Sequence, residues 1–349
     1  MPVLVDAIDR EHCLYAEAMS PAALPSDCLT IGLVNNMADG ALASTERQVF
    51  DLLKAASDEL PIRLSFYALP GVTRSEQAQE YVRRFYRGID TICDGAVDGI
   101  IVTGAEPRAA QLTDEAYWSD LQQLIEWAKI GVSSAIWSCL AVHAAVQHLD
   151  GIERRPLARK CFGIFEQTRT AANHPLLTGA PARLLTPHSR WNDLPEEPLR
   201  SRGYNVLTRS AESGVDTFVK RHNRSLFVFL QGHPEYTAWS LLGEYRRDVG
   251  RFLRGENDGY PTMPLNYFRG PTEKALVEFQ ERAIRQRSTD LLPSFPISRA
   301  AVSVENTWRT GAVQFYRNWL KYLWGTRSDR RRSAGDAGLT TAMSNGSWH

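Results

Sequence analysis

Between residues 29 and 149 the chain alternates short apolar, β-rich runs with segments of helical periodicity, and few folds accommodate that rhythm. "LTIGLVNN" (29–36), "IRLSFYAL" (62–69), "DGIIVTGA" (98–105) and "VSSAIWS" (132–138) read as strands. "STERQVFDLLKAA" (44–56), "EQAQEYVRRFYRGI" (76–89), "DEAYWSDLQQLIEWAKI" (114–130) and "CLAVHAAVQHL" (139–149) read as helices, the first with a candidate N-cap at Ser44 or Thr45. Strands alternating with helices imply βαβ units, a parallel sheet and helices on both faces, so the fold class expected is α/β. Past residue 160 the strands are short, with Pro, Gly and Asn between them: "CFGIFEQ" (161–167), "RLLTP" (183–187), "YNVLTRS" (204–210), "VDTFVK" (215–220) and "SLFVFLQG" (225–232). They predict the far half of the same sheet plus a small antiparallel section. Helices follow over 238–253 and 305–324, with a Pro-rich stretch between them.

The organisation expected is a lead-in over 1–28, one domain over 29–324 with an unusual segment at 269–303, and a tail over 325–349. The tail is small and polar and predicts no stable structure. Forty basic and forty acidic residues cancel, which removes any global electrostatic case for nucleic acid or an anionic membrane. No apolar run approaches the ~20 residues of a membrane span, and the N-terminus does not read as a signal peptide. The five cysteines are odd in number and scattered without a C-x-x-C pair, against a disulfide framework and fitting a reducing cytosol. A cytoplasmic protein is expected.

Function in open parallel sheets gathers at the carboxyl ends of the strands. Cys139 ends an apolar strand and opens a helix rich in small residues, Ala141, Ala144 and Ala145. Backbone N–H groups at a helix N-terminus stabilise a thiolate, and the same sharp turn presents the nucleophile of serine hydrolases. A buried structural cysteine is the bland alternative for this segment alone. His233 and Glu235 in "FVFLQGHPEY" change the balance, because they put a base and an orienting carboxylate at another strand end. His143, His148, His174 and His222 fall to structural or surface roles. The local donors, one histidine and one carboxylate, do not make a metal site. Oxyanion stabilisation would fall to backbone amides, that of Leu140 and one from the Gly104–Ala105 loop.

The ordered set "IIVTGA", "YWSDLQQLIEWAK", "VSSAIWSCLAVHAAV", "KCFGIFE", "TPHSRW", "FLQGHPEY", "EYRRDV", "PLNYF" and "NWLKYLW" resembles the homoserine O-acyltransferase family, from about residue 29 to 324. The resemblance implies a flavodoxin-like fold similar to class I glutamine amidotransferases, and ping-pong transfer from succinyl-CoA or acetyl-CoA to the hydroxyl of homoserine or a related amino acid. By that resemblance Cys139 is the nucleophile, His233 the base and Glu235 its orienting carboxylate. It likewise implies acceptor-site roles for Lys160, Ser189 and Arg247, no permanently bound cofactor or metal, small-molecule substrates and a homodimer.

Two departures stand out. The loop after the first strand, "NNMADGALAST", lacks the proline and lysines that the family carries there, and the acyl-donor discriminator after "TGA" falls by counting on Arg108. A guanidinium suits a dicarboxylic acyl donor such as succinyl and gains nothing from acetyl. Two alternatives stay open: a glutamine amidotransferase-like hydrolase and a non-catalytic binding protein. Amidotransferases carry Gly and Gln where this chain has Ala141 and His143.

Overall fold

In the computed structural model, which describes residues 3–6, 27–94 and 97–344, the predicted alternation is realised almost element for element through residue 150. The order is β1 (Val3–Val5), β2 (Leu29–Val34), α1 (Leu42–Ala56), β3 (Ile62–Tyr67), α2 (Glu76–Phe85), α3 (Thr91–Asp94), β4 (Gly99–Val102), α4 (Trp118–Gly131), β5 (Ser134–Ser138) and α5 (Leu140–Asp150). Then come β6 (Arg155–Arg169), β7 (Leu184–Asp193), α6 (Glu196–Ser201), β8 (Asn205–Ser210), β9 (Gly214–His222), β10 (Ser225–Leu230), α7 (Ser240–Leu253), α8 (Gly270–Gln286), α9 (Ile297–Ser303) and α10 (Arg309–Ser344).

One ten-stranded sheet runs β1-β3-β2-β4-β5-β10-β9-β8-β6-β7. The pairs from β1 to β10 are parallel, and those from β10 to β7 are antiparallel. Setting β1 aside, the order β3-β2-β4-β5-β10 is the 2-1-3-4-5 arrangement of doubly wound sheets. The central strands are buried along almost their whole length and are mostly apolar, because helices cover both faces. One face packs against α1 and α10 through Leu52, Leu53, Trp319 and Leu323. The other packs against α4 and α5 through Leu121, Ile125, Val142 and Ala145. A third apolar cluster joins β6 to α7, α8 and Trp308.

Several expectations are corrected. Neither Ser44 nor Thr45 caps α1, which begins at Leu42; the Ser44 hydroxyl donates to the Ala41 carbonyl. Most of the lead-in, Cys13 included, lies outside the described residues, yet Val3–Val5 pairs with β3. The 269–303 segment is largely helical, with Pro271 in the first turn of α8 and Leu276, Phe279 and Ala283 buried. The backbone helix α10 runs through Ser344. Among the described residues no helix is long and apolar enough to cross a membrane.

Candidate active site

β5 and β10 are hydrogen-bonded neighbours in parallel register, Ser138 opposite Leu230, so the residues that follow them emerge side by side. Cys139 leaves β5 at φ +53° and ψ −117° and serves as the N-cap of α5. Its N–H donates to the Leu230 carbonyl at 2.9 Å, which ties the turn at Cys139 to the strand that delivers the histidine. Three residues past Leu230, His233 is buried, and its Nδ1 lies 2.8 Å from Glu235 Oε1. Its ring stacks on Tyr236, with centroids 4.2 Å apart and planes 14° from parallel. Burial works to depress the His233 pKa, but Cys139 and Glu235, both bonded to it, lift it well above the ordinary value. With Nδ1 taken by Glu235, Nε2 is left to face Cys139.

The glycine of the β4 loop meets this turn. A Cβ on Gly104 would lie 2.9 Å from the Leu140 nitrogen, so a side chain there has no room. The Leu140 amide belongs to the first turn of α5, where N–H groups lack helical partners. Ala105 and Arg108 line an adjacent cavity of about 320 Å³ together with Asn36, Thr73 and Tyr117. Arg108 itself is exposed, and Glu115 Oε1 accepts its backbone N–H at 2.6 Å. The unusual first loop is held by the buried Arg74, which donates to the Asn35 and Met37 carbonyls at 2.9 and 2.8 Å.

Lys160, Ser189 and Arg247 converge from β6, β7 and α7 on two carboxylates that the sequence did not single out, Glu244 and Asp248. Lys160 Nζ is 2.8 Å from Asp248 Oδ2 and 3.6 Å from Glu244 Oε2. Arg247 Nη2 is 3.1 Å from Asp248 and 3.7 Å from Glu244. The Ser189 hydroxyl donates to Glu244, and Tyr236 Oη donates to its other oxygen at 2.5 Å. Glu244 therefore links this cluster to His233 through the Tyr236 ring. Burial, reinforced by Glu244 and Glu235, raises the Tyr236 pKa well above normal and keeps its proton in place. Glu106 in the β4 loop reaches α7 through Arg251 at 2.9 Å. Of the histidines assigned structural or surface roles, His143 is buried one turn along α5, and burial pushes its pKa down to about 3. Cys28, Cys139 and Cys161 are free thiols.

Fold and site together define a doubly wound α/β protein with a Cys–His–Glu constellation on a strand-to-helix turn. The family model for homoserine O-succinyltransferase matches residues 4–329. The homoserine O-succinyltransferase of Rhodopseudomonas palustris is 45% identical over 91% of this chain and 94% of its own length. That of Bradyrhizobium japonicum is 46% identical over 90% and 98%. The chain belongs to the homoserine O-succinyltransferase family. Among solved structures, a glutamine amido transferase from Methylobacillus flagellatus is similar at 17% identity and a TM-score of 0.46, covering 85% of this chain and 95% of that one.

Proposed function

We propose that this protein is a homoserine O-succinyltransferase working through a succinyl-cysteine. The Cys139 sulfur attacks the thioester carbonyl of succinyl-CoA, the oxyanion is met by the Leu140 amide and the Gly104–Ala105 loop, and the departing CoA thiolate takes a proton from His233. The homoserine hydroxyl then gives its proton to His233 as its oxygen attacks the new thioester. The ester leaves and Cys139 is restored. Glu235 holds the imidazole in the tautomer both steps need. Exchange between two thioesters is nearly isoenergetic, so the first half-reaction needs no further energy source.

The observation that carries this reading is the adjacency of the β5 and β10 ends, with Cys139 bound to Leu230 and His233 bound to Glu235. Lys160 and Arg247 beside Glu244 and Asp248 give two cations and two anions, a set that suits a zwitterionic acceptor. Ser189 would add a hydroxyl to the same site. Arg108 lines the cavity beside Ala105, and in this reading its guanidinium would meet the far carboxylate of the succinyl group. A cytoplasmic homodimer, with no cofactor held between turnovers, completes the reading.

The test is mass spectrometry of the protein mixed with succinyl-CoA. A succinyl adduct should appear on Cys139 and be discharged by homoserine. Folded wild-type protein that takes no acyl group would sink the proposal. Cys139→Ser should abolish turnover with little loss of fold. Arg247→Ala should slow discharge far more than adduct formation, and equal loss in both would contradict its assignment to the acceptor.

A further inference from the structure

Against the loop that carries the base, β7 and β9 bury a second acid–histidine pair that this chemistry does not use. Asp216 Oδ2 accepts the hydroxyls of Thr208, Thr217 and Thr186 at 2.9, 3.1 and 3.3 Å. Its Oδ1 lies 3.3 Å from His188 Nε2, and both residues are buried. Arg190 Nε is 3.4 Å from His188 Nδ1. An arginine only donates, so Nδ1 is the acceptor and the ring hydrogen sits on Nε2, toward Asp216. Burial depresses the His188 pKa, with Asp216 opposing.

The pair abuts the peptide that leads into His233. A Cβ on Gly232 would fall 2.8 Å from Asp216 Oδ1, 3.0 Å from His188 Nε2 and 2.4 Å from Thr186 Cγ2. The backbone is pinned by the same two strands: Gln231 N–H donates to the Asp216 carbonyl at 3.0 Å, and His233 N–H to the Pro187 carbonyl at 2.8 Å. We infer that Asp216 and His188 are positioning residues for His233, packed on Gly232 so that the imidazole stays aligned between Glu235 and Cys139. A base displaced by a fraction of an ångström loses much of its effect, so a rigid support beneath a loop residue has catalytic consequence. Arg190 on β7, with Asp193 paired to it, Cys161 on β6 and His233 are the charged and titratable groups around the pair.

The inference rests on the Cys139–His233–Glu235 geometry and not on which acyl group moves, so the test needs no acyl donor. The rate of Cys139 alkylation by iodoacetamide is followed across the neutral pH range in the full chain, beside its melting temperature. Asp216→Asn keeps the shape and removes the carboxylate around which His188 and the three threonine hydroxyls are arranged. It should lower the rate about tenfold or more and shift the pH profile in the direction that Glu235→Gln shifts it. His188→Gln should slow alkylation too, and the double variant should add little, because the two act as a unit. A lower melting temperature with the rate and pH profile at wild-type values would mean a purely structural pair and overturn the inference. If Asp216→Asn does not fold, His188→Gln is read alone against the same outcomes. Wild-type protein that alkylates normally but accepts no succinyl group would remove the transferase reading and leave this one standing.

Discussion

Cys139 holds a backbone conformation that L-residues rarely adopt, at a cost of about 1–3 kcal/mol. The surroundings over-determine it: β5 enters, α5 leaves, and the Leu230 carbonyl takes the N–H. The close approach of Gly104 belongs to the same construction. Gly104→Ala would push a methyl against the Leu140 nitrogen, where backbone cannot yield as a flexible side chain would. The expected result is about a hundredfold slower acylation of Cys139 with a modest fall in melting temperature; an unchanged acylation rate would remove the Gly104–Leu140 contact from the mechanism. Cys139, His233 and Glu235 were legible in the sequence because each is marked locally, by a strand end and a glycine or helix start. Glu244, Asp248, His188 and Asp216 were not. A glutamate on an amphipathic helix reads as a solvated charge until a partner 55 residues away, Ser189, is brought to it, and Asp248 meets Lys160 across 88.

Among the elements, α8 shows how far local reading reaches. Its apolar residues recur at helical spacing, but the flanking Pro-rich sequence hid it in a connecting stretch. The parallel half of the sheet was readable from strand–helix alternation, whereas the neighbour relation of β5 and β10 was not, since 87 residues separate Ser138 from Ser225 and no local pattern encodes the pairing. In the structure α8 packs Leu276, Phe279 and Ala283 into a cluster with Tyr245 and Val249 of α7, the helix that presents Glu244, Arg247 and Asp248 from its other positions. Phe279→Ala should cost about 3–5 kcal/mol in chemical denaturation. It should also weaken acceptor use more than adduct formation, because α7 loses its backing. A loss below about 1 kcal/mol would mark α8 as an appendage.

For the whole molecule, buried histidines contribute to the acid side of the stability curve alongside carboxylates held below their ordinary range, such as Asp150 and Asp216. Burial lowers the pKa of His143 to about 3 and of His222 to about 4, and lowers His188 and His174 as well. As pH falls below about 6.5 the unfolded chain binds protons that these rings refuse, so stability drops on the way toward pH 3. His233 acts in the opposite sense: its pKa is raised in the fold, so its contribution is complete in acid and is lost as pH rises through the elevated value. His143→Gln should flatten the acid slope of the unfolding free energy by up to about 1.4 kcal/mol per pH unit, and an unchanged slope would mean His143 is protonated in the fold. One contact sets a further condition, on when the enzyme can exist during its own synthesis. Trp319 of α10 donates from Nε1 to Ser134 Oγ at 3.0 Å, and that hydroxyl donates to the Leu226 carbonyl at 2.6 Å, joining the strand that leads to Cys139 to the strand that leads to His233. A nascent chain therefore carries Cys139 long before Trp319 can add its bond to the β5–β10 seam beneath it.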